Sequence, residues 1–168
     1  LRKIGIQQGD RVAGFMPNMP ETIIAMLATA SIGAIWSSSS PDFGIKGVLD
    51  RFTQIEPKVL FAANGYYYNG KKFDSLEKLN SILDQLPSVN RVVVTPYTES
   101  NLDISSVKNG ILWDNFKDSN PSPLKFEQLP FQHPLYIMYS SGTTGLPKSI
   151  VHGAGGTLIQ HLKELRLH

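Results

Sequence analysis

Residues 136–152 read Tyr-Ile-Met-Tyr-Ser-Ser-Gly-Thr-Thr-Gly-Leu-Pro-Lys-Ser-Ile-Val-His. The apolar run 135–139 predicts a buried strand, and six small residues, 140–145, follow it. The two glycines among them can adopt positive φ and let backbone N–H groups approach a ligand closely. Successive N–H groups in such a turn form an anion-binding concavity, and serine and threonine hydroxyls add further donors. Because Lys148 then supplies a point charge suited to phosphate, the stretch predicts a polyphosphate site.

The spacing of this loop differs from the Walker A pattern, Gly-x-x-x-x-Gly-Lys-Ser/Thr. Counting from Gly142 puts Pro147 where the second glycine should stand, and proline has no N–H to donate to a phosphate. A P-loop NTPase or kinase is therefore disfavoured, but it stays an alternative that formation of ADP instead of AMP would favour. A nucleotide-binding module without catalytic activity is the other alternative.

The first 95 residues alternate predicted strands with predicted helices. The strands are expected at 11–16, 34–36, 58–62 and 91–95, and the helices at 20–33, 45–55 and 74–86. This rhythm predicts an α/β fold with an open, mostly parallel sheet and flanking helices. One face of the first helix is expected to pack on the sheet because its apolar residues recur at helical spacing. These residues are Ile23, Met26, Leu27 and Ala30. Asp42 is predicted to cap the second helix.

The remaining residues divide into two parts. Residues 96–134 are rich in Pro, Asn, Ser and Asp, which predicts an irregular excursion with one short helix around Trp113–Phe116. Residues 135–168 are expected to hold the phosphate loop, a strand and the start of a helix. Since the chain begins without Met and stops inside an amphipathic stretch, 158–165, we expect residues 1–168 to be an incomplete domain.

Composition narrows the functional class. Of the 168 residues, 41% are hydrophobic and 18% are charged, and the net charge of +2 is too small to argue for nucleic acid or an anionic membrane as a partner. The absence of cysteine excludes disulfides and thiolate metal sites. There is neither an apolar run of about 18 residues nor a signal-peptide start, so we predict a cytosolic protein.

The run Ser140–Lys148 resembles the nucleotide-binding signature of the acyl-adenylate-forming enzymes, which include the acyl-CoA synthetases. That signature is Thr/Ser-Ser-Gly-Thr-Thr-Gly-x-Pro-Lys-Gly, and nine positions match; Ser149 stands where the family usually has Gly. Residues 9–12 and 16–18 also resemble the amino-terminal part of these enzymes. Residues 36–44 and 151–164 are similar to the acetoacetate-activating branch of the family.

The resemblance implies an enzyme that adenylates acetoacetate with ATP and Mg²⁺ and transfers it to coenzyme A, releasing AMP and pyrophosphate; another short-chain acid is the alternative substrate. It assigns the β- and γ-phosphates to a group of small residues and gives Lys148 the role of neutralising or anchoring the loop. The group consists of Ser140, Ser141, Gly142, Thr143, Thr144 and Gly145.

The family's adenine and ribose motifs, its magnesium carboxylate and its catalytic lysine lie downstream of this loop. No catalytic residue or metal ligand is therefore assigned among residues 1–168, and this chain alone is expected to be inactive. The remainder of its own chain is expected to be its main packing partner, within a large amino-terminal domain.

A second loop, 64–72, holds three tyrosines between two glycines and ends in two lysines. In relatives of acetyl-CoA synthetase the matching loop helps to hold the nucleotide end of coenzyme A. The resemblance thus implies that Tyr68, Gly70, Lys71 and Lys72 contact coenzyme A, with lysines on its phosphates and a tyrosine ring on its adenine. The alternative is a solvated lysine pair on a hairpin or loop, with the tyrosines packed against the sheet.

Two other residues have a structural and a functional interpretation. Trp36 is predicted to lie in the core, and the alternative is that it lines the acyl or pantetheine pocket. His152 is expected to be structural because no nucleophile near it is evident from the sequence.

Overall fold

The structure is a computed structural model that describes residues 1–120, 123–141 and 145–168. Its strands are β1 (Arg11–Phe15), β2 (Ile35–Ser39), β3 (Val59–Ala63), β4 (Gly65–Tyr68), β5 (Lys71–Asp74), β6 (Arg91–Thr95), β7 (Gly110–Leu112), β8 (Pro134–Ser140) and β9 (Lys148–Gly153). Its helices are α1 (Pro20–Ser31), α2 (Ile45–Ile55), α3 (Leu76–Leu83), α4 (Trp113–Phe116) and α5 (Ala154–Leu167), after a short 3₁₀ helix at Arg2–Ile4.

Seven of the strands form one sheet in the order β7-β6-β3-β1-β2-β8-β9, and β4 and β5 form a separate hairpin. Neighbouring strands from β7 to β8 run parallel, whereas β9 runs antiparallel to β8. The predicted open, mostly parallel sheet with flanking helices is therefore confirmed. The predicted short helix around Trp113–Phe116 is also present, as α4.

The sheet buries side chains on both faces, as a parallel sheet covered by crossover helices must. Successive residues of a strand point to opposite faces. Val12, Phe61 and Val93 join Ala25 of α1 in one apolar cluster. On the other face, Phe15, Leu60 and Val92 join the buried residues of α2 and α3 in a second cluster; these helix residues are Val48, Phe52, Ile55, Leu79, Ile82 and Leu83.

The predicted inner face of α1 is partly wrong. Ala25 and Thr29 are the buried residues of this helix, whereas Ile23 and Leu27 are 53% and 59% exposed. Small residues let the helix axis approach the sheet closely, and the Thr29 hydroxyl is satisfied because it donates to the Ala25 carbonyl at 2.7 Å. Met26 packs against the cluster as predicted.

Strand β2 runs further than the apolar residues predicted, through Ser39. Ser37 is buried, and its hydroxyl contacts the Ile137 carbonyl at 2.9 Å, so a polar residue is stable in the middle of the sheet. Trp36 is buried against Phe61, as predicted for a core residue, with ring centroids 6.3 Å apart. Its indole covers Gly14, where an added Cβ would lie 2.8 Å from the ring.

Three further differences concern ends and edges. Gly44 is the N-cap of α2, and Asp42 is exposed and makes no cap hydrogen bond, because the helix begins one residue beyond Gly44. Helix α3 is shorter than predicted. Strand β7 at one end of the sheet was missed because it is three residues long and half-buried.

Strand β8 is less buried than its apolar sequence predicted. Ile137 is buried, whereas Met138 on the opposite face is 54% exposed. The described residues thus cover one face of this strand well and the other poorly. No helix within the described ranges is both long and apolar enough to cross a membrane.

Candidate functional site

The carboxyl ends of β1, β2, β3 and β8 meet at one edge of the sheet because these strands are parallel. The chain leaves β1 toward β2 on one side and leaves β3 toward β6 on the other. The adjacent strands β1 and β3 therefore form a topological switch point, the place where open α/β sheets bind ligands.

A groove of about 380 Å³ lies at this edge. Its walls come from the loop after β1, from the end of β2 with its following loop, and from β4. The lining residues are Met16, Pro17, Asn18, Thr22, Ser38, Ser39, Ser40, Pro41, Asp42, Tyr66, Tyr67 and Tyr68. The groove thus combines aromatic rings with short polar side chains, the composition typical of a small-molecule site.

The tyrosine wall is a tight hairpin. Asn69 and Gly70 both have positive φ, 48° and 74°, as the two central residues of a type I′ turn require. Tyr66 is buried and stacks on Phe73 with ring centroids 5.1 Å apart. Tyr68, in contrast, is 62% exposed. The loop 64–72 is therefore a hairpin in which one tyrosine packs inward and the others face solvent beside the groove.

The two lysines of the hairpin have different surroundings. Lys72 forms an ion pair with Glu99, and this hydrogen bond raises the pKa of Lys72. Lys71 is exposed and lies opposite Tyr68 in the hairpin register. The positive charge of Lys71 is thus the more available of the two for an anionic ligand.

Lys78 of α3 fixes the outer wall of the groove. Its Nζ donates to the carbonyls of Pro41 and Phe43 at 2.9 and 3.3 Å. The same ammonium lies 5.2 Å from the centroid of the Tyr66 ring. Burial lowers the pKa of Lys78, and the Asp42 carboxylate acts in the opposite direction. One side chain therefore connects the loop after β2 to the tyrosine hairpin.

Ser39, one of the residues that line the groove, has a buried polar side chain. Its residue is 5% exposed, and its Oγ has no hydrogen-bond partner within residues 1–120, 123–141 and 145–168. A buried hydroxyl left without a partner costs about 1–3 kcal/mol.

The predicted phosphate loop lies at the same edge, one strand beyond β2. Gly142, Thr143 and Thr144 lie outside the described residues. Ser140, the last residue of β8, is paired in register with Lys148, the first residue of β9. Ser141 and Gly145 are exposed, and Gly145 has φ of 127°, which favours glycine.

The start of β9 is held by α2. Gln54 Nε2 donates to the Pro147 carbonyl at 2.9 Å, and the Ser149 hydroxyl donates to Gln54 Oε1, also at 2.9 Å. The side chain of Ser149, which replaces the glycine of the resembled signature, therefore contacts the helix. These bonds lie directly before and after Lys148.

Comparison with known proteins gives the same family from sequence and from structure. The sequence profile described as AMP-binding enzyme matches residues 1–166. The chain belongs to the AMP-binding enzyme family. It is 57% identical over 174 residues to acetoacetyl-CoA synthetase of Gallus gallus, covering 100% of this chain and 26% of the relative. It is 56% identical over 170 residues to acetoacetyl-coenzyme A synthetase of Rhizobium meliloti (strain 1021), with coverage of 100% and 26%.

A solved structure has the same fold as this chain. Acetoacetyl-CoA synthetase from Streptomyces lividans superposes with a TM-score of 0.89 at 43% identity, covering 98% of this chain and 25% of that one. The predicted family and its acetoacetate-activating branch are thus confirmed as what the chain is similar to. The chain spans about a quarter of the length of the relatives it matches.

The sequence analysis did not predict the roles of some residues that shape this AMP-binding fold. Lys78 and Gln54 are polar residues on helices, where spacing predicts exposure. Asn64 is buried and accepts from the Tyr97 and Thr98 N–H groups at 2.7 and 3.1 Å, so it joins the loops after β3 and β6. An Asn directly after a buried strand was the signal that could have found it.

We expect Lys78→Met to loosen the wall of the groove. The methionine keeps the apolar stem but donates no hydrogen bond to residues 41 and 43, so local opening of that loop should become easier by about 1 kcal/mol. The measurement is amide hydrogen exchange at residues 42–44.

Lys46→Met is the matched control, because Lys46 is 84% exposed and pairs with Asp50 within one helix. Such a pair contributes little. Equal exchange at residues 42–44 in both variants would contradict the role of Lys78.

Proposed function

We propose that this chain carries the phosphate-binding part of an AMP-forming acid–thiol ligase that adenylates acetoacetate and transfers it to coenzyme A. The observation that carries the proposal is the signature Ser140–Lys148 at the carboxyl end of a parallel strand, beside a switch-point groove. The relatives named acetoacetyl-CoA synthetase, up to 57% identical, support this acid over other short-chain acids.

In the first half-reaction a carboxylate oxygen of acetoacetate attacks the α-phosphorus of ATP, and the bond to pyrophosphate breaks. This chemistry depends mainly on position and on stabilising charge on the leaving phosphates. We assign the β- and γ-phosphates to Ser140, Ser141 and Gly145 together with Gly142, Thr143 and Thr144, the last three of which lie outside the described residues. Lys148 neutralises the departing charge or anchors the loop from the adjacent strand.

In the second half-reaction the sulfur of coenzyme A attacks the acyl carbon and AMP leaves. We assign the nucleotide end of coenzyme A to the hairpin, through Tyr68, Gly70, Lys71 and Lys72. Two features support this assignment: the exposed Tyr68 ring borders the groove, and the exposed Lys71 lies opposite it. The ion pair of Lys72 with Glu99 makes Lys72 the weaker phosphate contact.

We propose that Mg²⁺ enters the site bound to the ATP phosphates. The residues of this chain do not fit a protein-bound metal, since the part that the structure describes gathers no group of three or more His, Asp or Glu side chains. We therefore derive no step of the reaction from this ion.

We further propose that residues 1–168 form part of a large amino-terminal domain, with 1–95 as its βαβ part, 96–134 as a largely irregular excursion and 135–168 carrying the phosphate loop. The remainder of the protein is its packing partner. Large apolar side chains that the described residues leave exposed support this: Ile23, Leu27, Met138, Ile150, Val151, Leu158, Ile159 and Leu162.

The function is tested by ATP–pyrophosphate exchange in the full-length protein. We expect exchange that depends on acetoacetate, and production of AMP when coenzyme A is added. Acetoacetate-independent hydrolysis to ADP would instead favour the NTPase alternative. Lys148→Ala should slow the exchange, because it should raise the activation free energy by about 1.5–3 kcal/mol, the size of one charge-assisted hydrogen bond.

Lys163→Ala is the control for Lys148→Ala, because Lys163 is half-exposed on α5 and pairs with its neighbour Glu164. This variant should keep the wild-type rate. Exchange at the wild-type rate in Lys148→Ala would exclude the assigned role of the loop lysine.

The coenzyme A assignment predicts opposite effects for neighbouring charges. Lys71→Ala should raise the KM for coenzyme A roughly fivefold, about 1 kcal/mol for an exposed charged contact, and leave the KM for ATP unchanged. Lys72→Ala should have a smaller effect. Glu99→Gln should lower the KM for coenzyme A because it releases Lys72. A KM for coenzyme A that is identical in Lys71→Ala and wild type would refute this site.

The packing proposal predicts how the isolated 168-residue chain behaves. Because contiguous apolar surface drives association, the chain should self-associate on gel filtration and bind the dye ANS. Replacing Ile23 and Leu27 by Lys should increase the monomer fraction. A monomeric chain that does not bind ANS would show that these faces need no cover.

A further inference from the structure

The carboxamide of Gln54 contacts the residues on both sides of the loop lysine, Pro147 before β9 and Ser149 within it. Its Nε2 donates to the Pro147 carbonyl and its Oε1 accepts from the Ser149 hydroxyl, each at 2.9 Å. Nε2 also donates to the Asp50 carbonyl at 2.6 Å, which holds the side chain against its own helix. The contacts with Pro147 and Ser149 therefore join the last turn of α2 to the exit of the phosphate loop.

The chemistry of these partners requires an amide. A proline carbonyl can only accept, so the donor end of Gln54 must face Pro147, and the oxygen is then left for the serine hydroxyl. A glutamate at this position would keep the contact with Ser149 but would lose the contact with Pro147. An aliphatic side chain would lose both.

A second contact joins the same part of α2 to the other strand of the loop hairpin. The Tyr139 hydroxyl donates to the Arg51 carbonyl at 3.4 Å, and Tyr139 is the register partner of Ser149. Burial raises the pKa of Tyr139, and a tyrosine hydroxyl is protonated at neutral pH even without such a shift, so it is available as a donor. Helix α2 therefore contacts both strands that flank the loop.

We propose that Gln54 and Ser149 form a clamp that positions Lys148 toward the phosphates of ATP. The inference rests on the proposed function, since it takes the loop as the ATP-phosphate site. Gln54 is a positioning residue: it acts on the substrate through the Pro147 carbonyl and the Ser149 hydroxyl, which lie on either side of Lys148. The resembled signature has glycine at the position of Ser149. The contact with the hydroxyl therefore depends on a residue at which this chain departs from the signature.

The test measures ATP–pyrophosphate exchange in the full-length protein for Gln54→Ala, Ser149→Gly and the double variant. Because the lost contacts are exposed hydrogen bonds, we expect Gln54→Ala to raise the KM for ATP about threefold to tenfold. The KM values for acetoacetate and coenzyme A and the unfolding temperature should not change. Ser149→Gly should have a smaller effect, and the double variant should be no worse than Gln54→Ala because both remove the same contact.

Two further variants separate positioning from stability. Gln54→Glu keeps the acceptor for Ser149 and should fall between wild type and Gln54→Ala. Thr53→Ala is the matched control on the same helix turn, since the Thr53 hydroxyl donates within the helix to the Leu49 carbonyl at 2.6 Å. It should leave the KM for ATP unchanged.

The outcomes are distinguishable. If the wild-type protein exchanges but Gln54→Ala has the wild-type KM for ATP, the clamp is refuted and the proposed function stands. If Gln54→Ala raises all three KM values or lowers the unfolding temperature, Gln54 is a general structural residue and the clamp is again refuted. If the wild-type protein shows no exchange, the proposed function is overturned, and the clamp with it.

Discussion

Strands β8 and β9, which flank the predicted phosphate loop, are attached to the rest of the sheet through the pairing of β8 with β2, and the buried hydroxyl of Ser37 lies at that attachment. It donates its one hydrogen to the Ile137 carbonyl at 2.9 Å, and its oxygen lies 3.1 Å from the Tyr139 hydroxyl; these partners are 100 and 102 positions further along the chain. A hydrogen bond in a water-free position is costly to lose, because its partners would remain buried without a substitute. The Ser37 contact therefore helps to hold β8, and with it the predicted phosphate loop, at the sheet edge where the groove lies.

The two halves of the site are held by different means. The groove is formed by strand ends and a hairpin, with Lys78 and Asn64 tying its loops together through backbone groups. The predicted phosphate loop follows β8, and the residues at its exit, Pro147 and Ser149, are bonded by the Gln54 side chain of α2. Loops positioned by a rigid scaffold commonly carry function, and here each loop has a polar side chain from a neighbouring element that fixes it.

The sequence predicted most of the architecture because strands and helices alternate with clear apolar periods. The prediction from sequence was wrong where tertiary packing outweighs the helical spacing of apolar residues. Helix α1 buries Ala25 and Thr29 instead of Ile23 and Leu27. Close approach of helix and sheet favours small residues, while the larger apolar side chains remain at the surface of the described residues. The prediction was wrong again in β2, because serines are poor strand signals unless tertiary partners satisfy their hydroxyls.

The sequence by itself determined the family, the phosphate-loop signature and the parallel sheet, since these depend on local residue order and on short-range periodicity. The tertiary structure alone decided which polar residues meet: Gln54 with Ser149, Lys78 with the carbonyls of 41 and 43, and Lys72 with Glu99. The physical reason is that such contacts join residues 27 to 95 positions apart. The sheet order and the packing of the helices on the sheet determine these contacts, and no local sequence pattern predicts them.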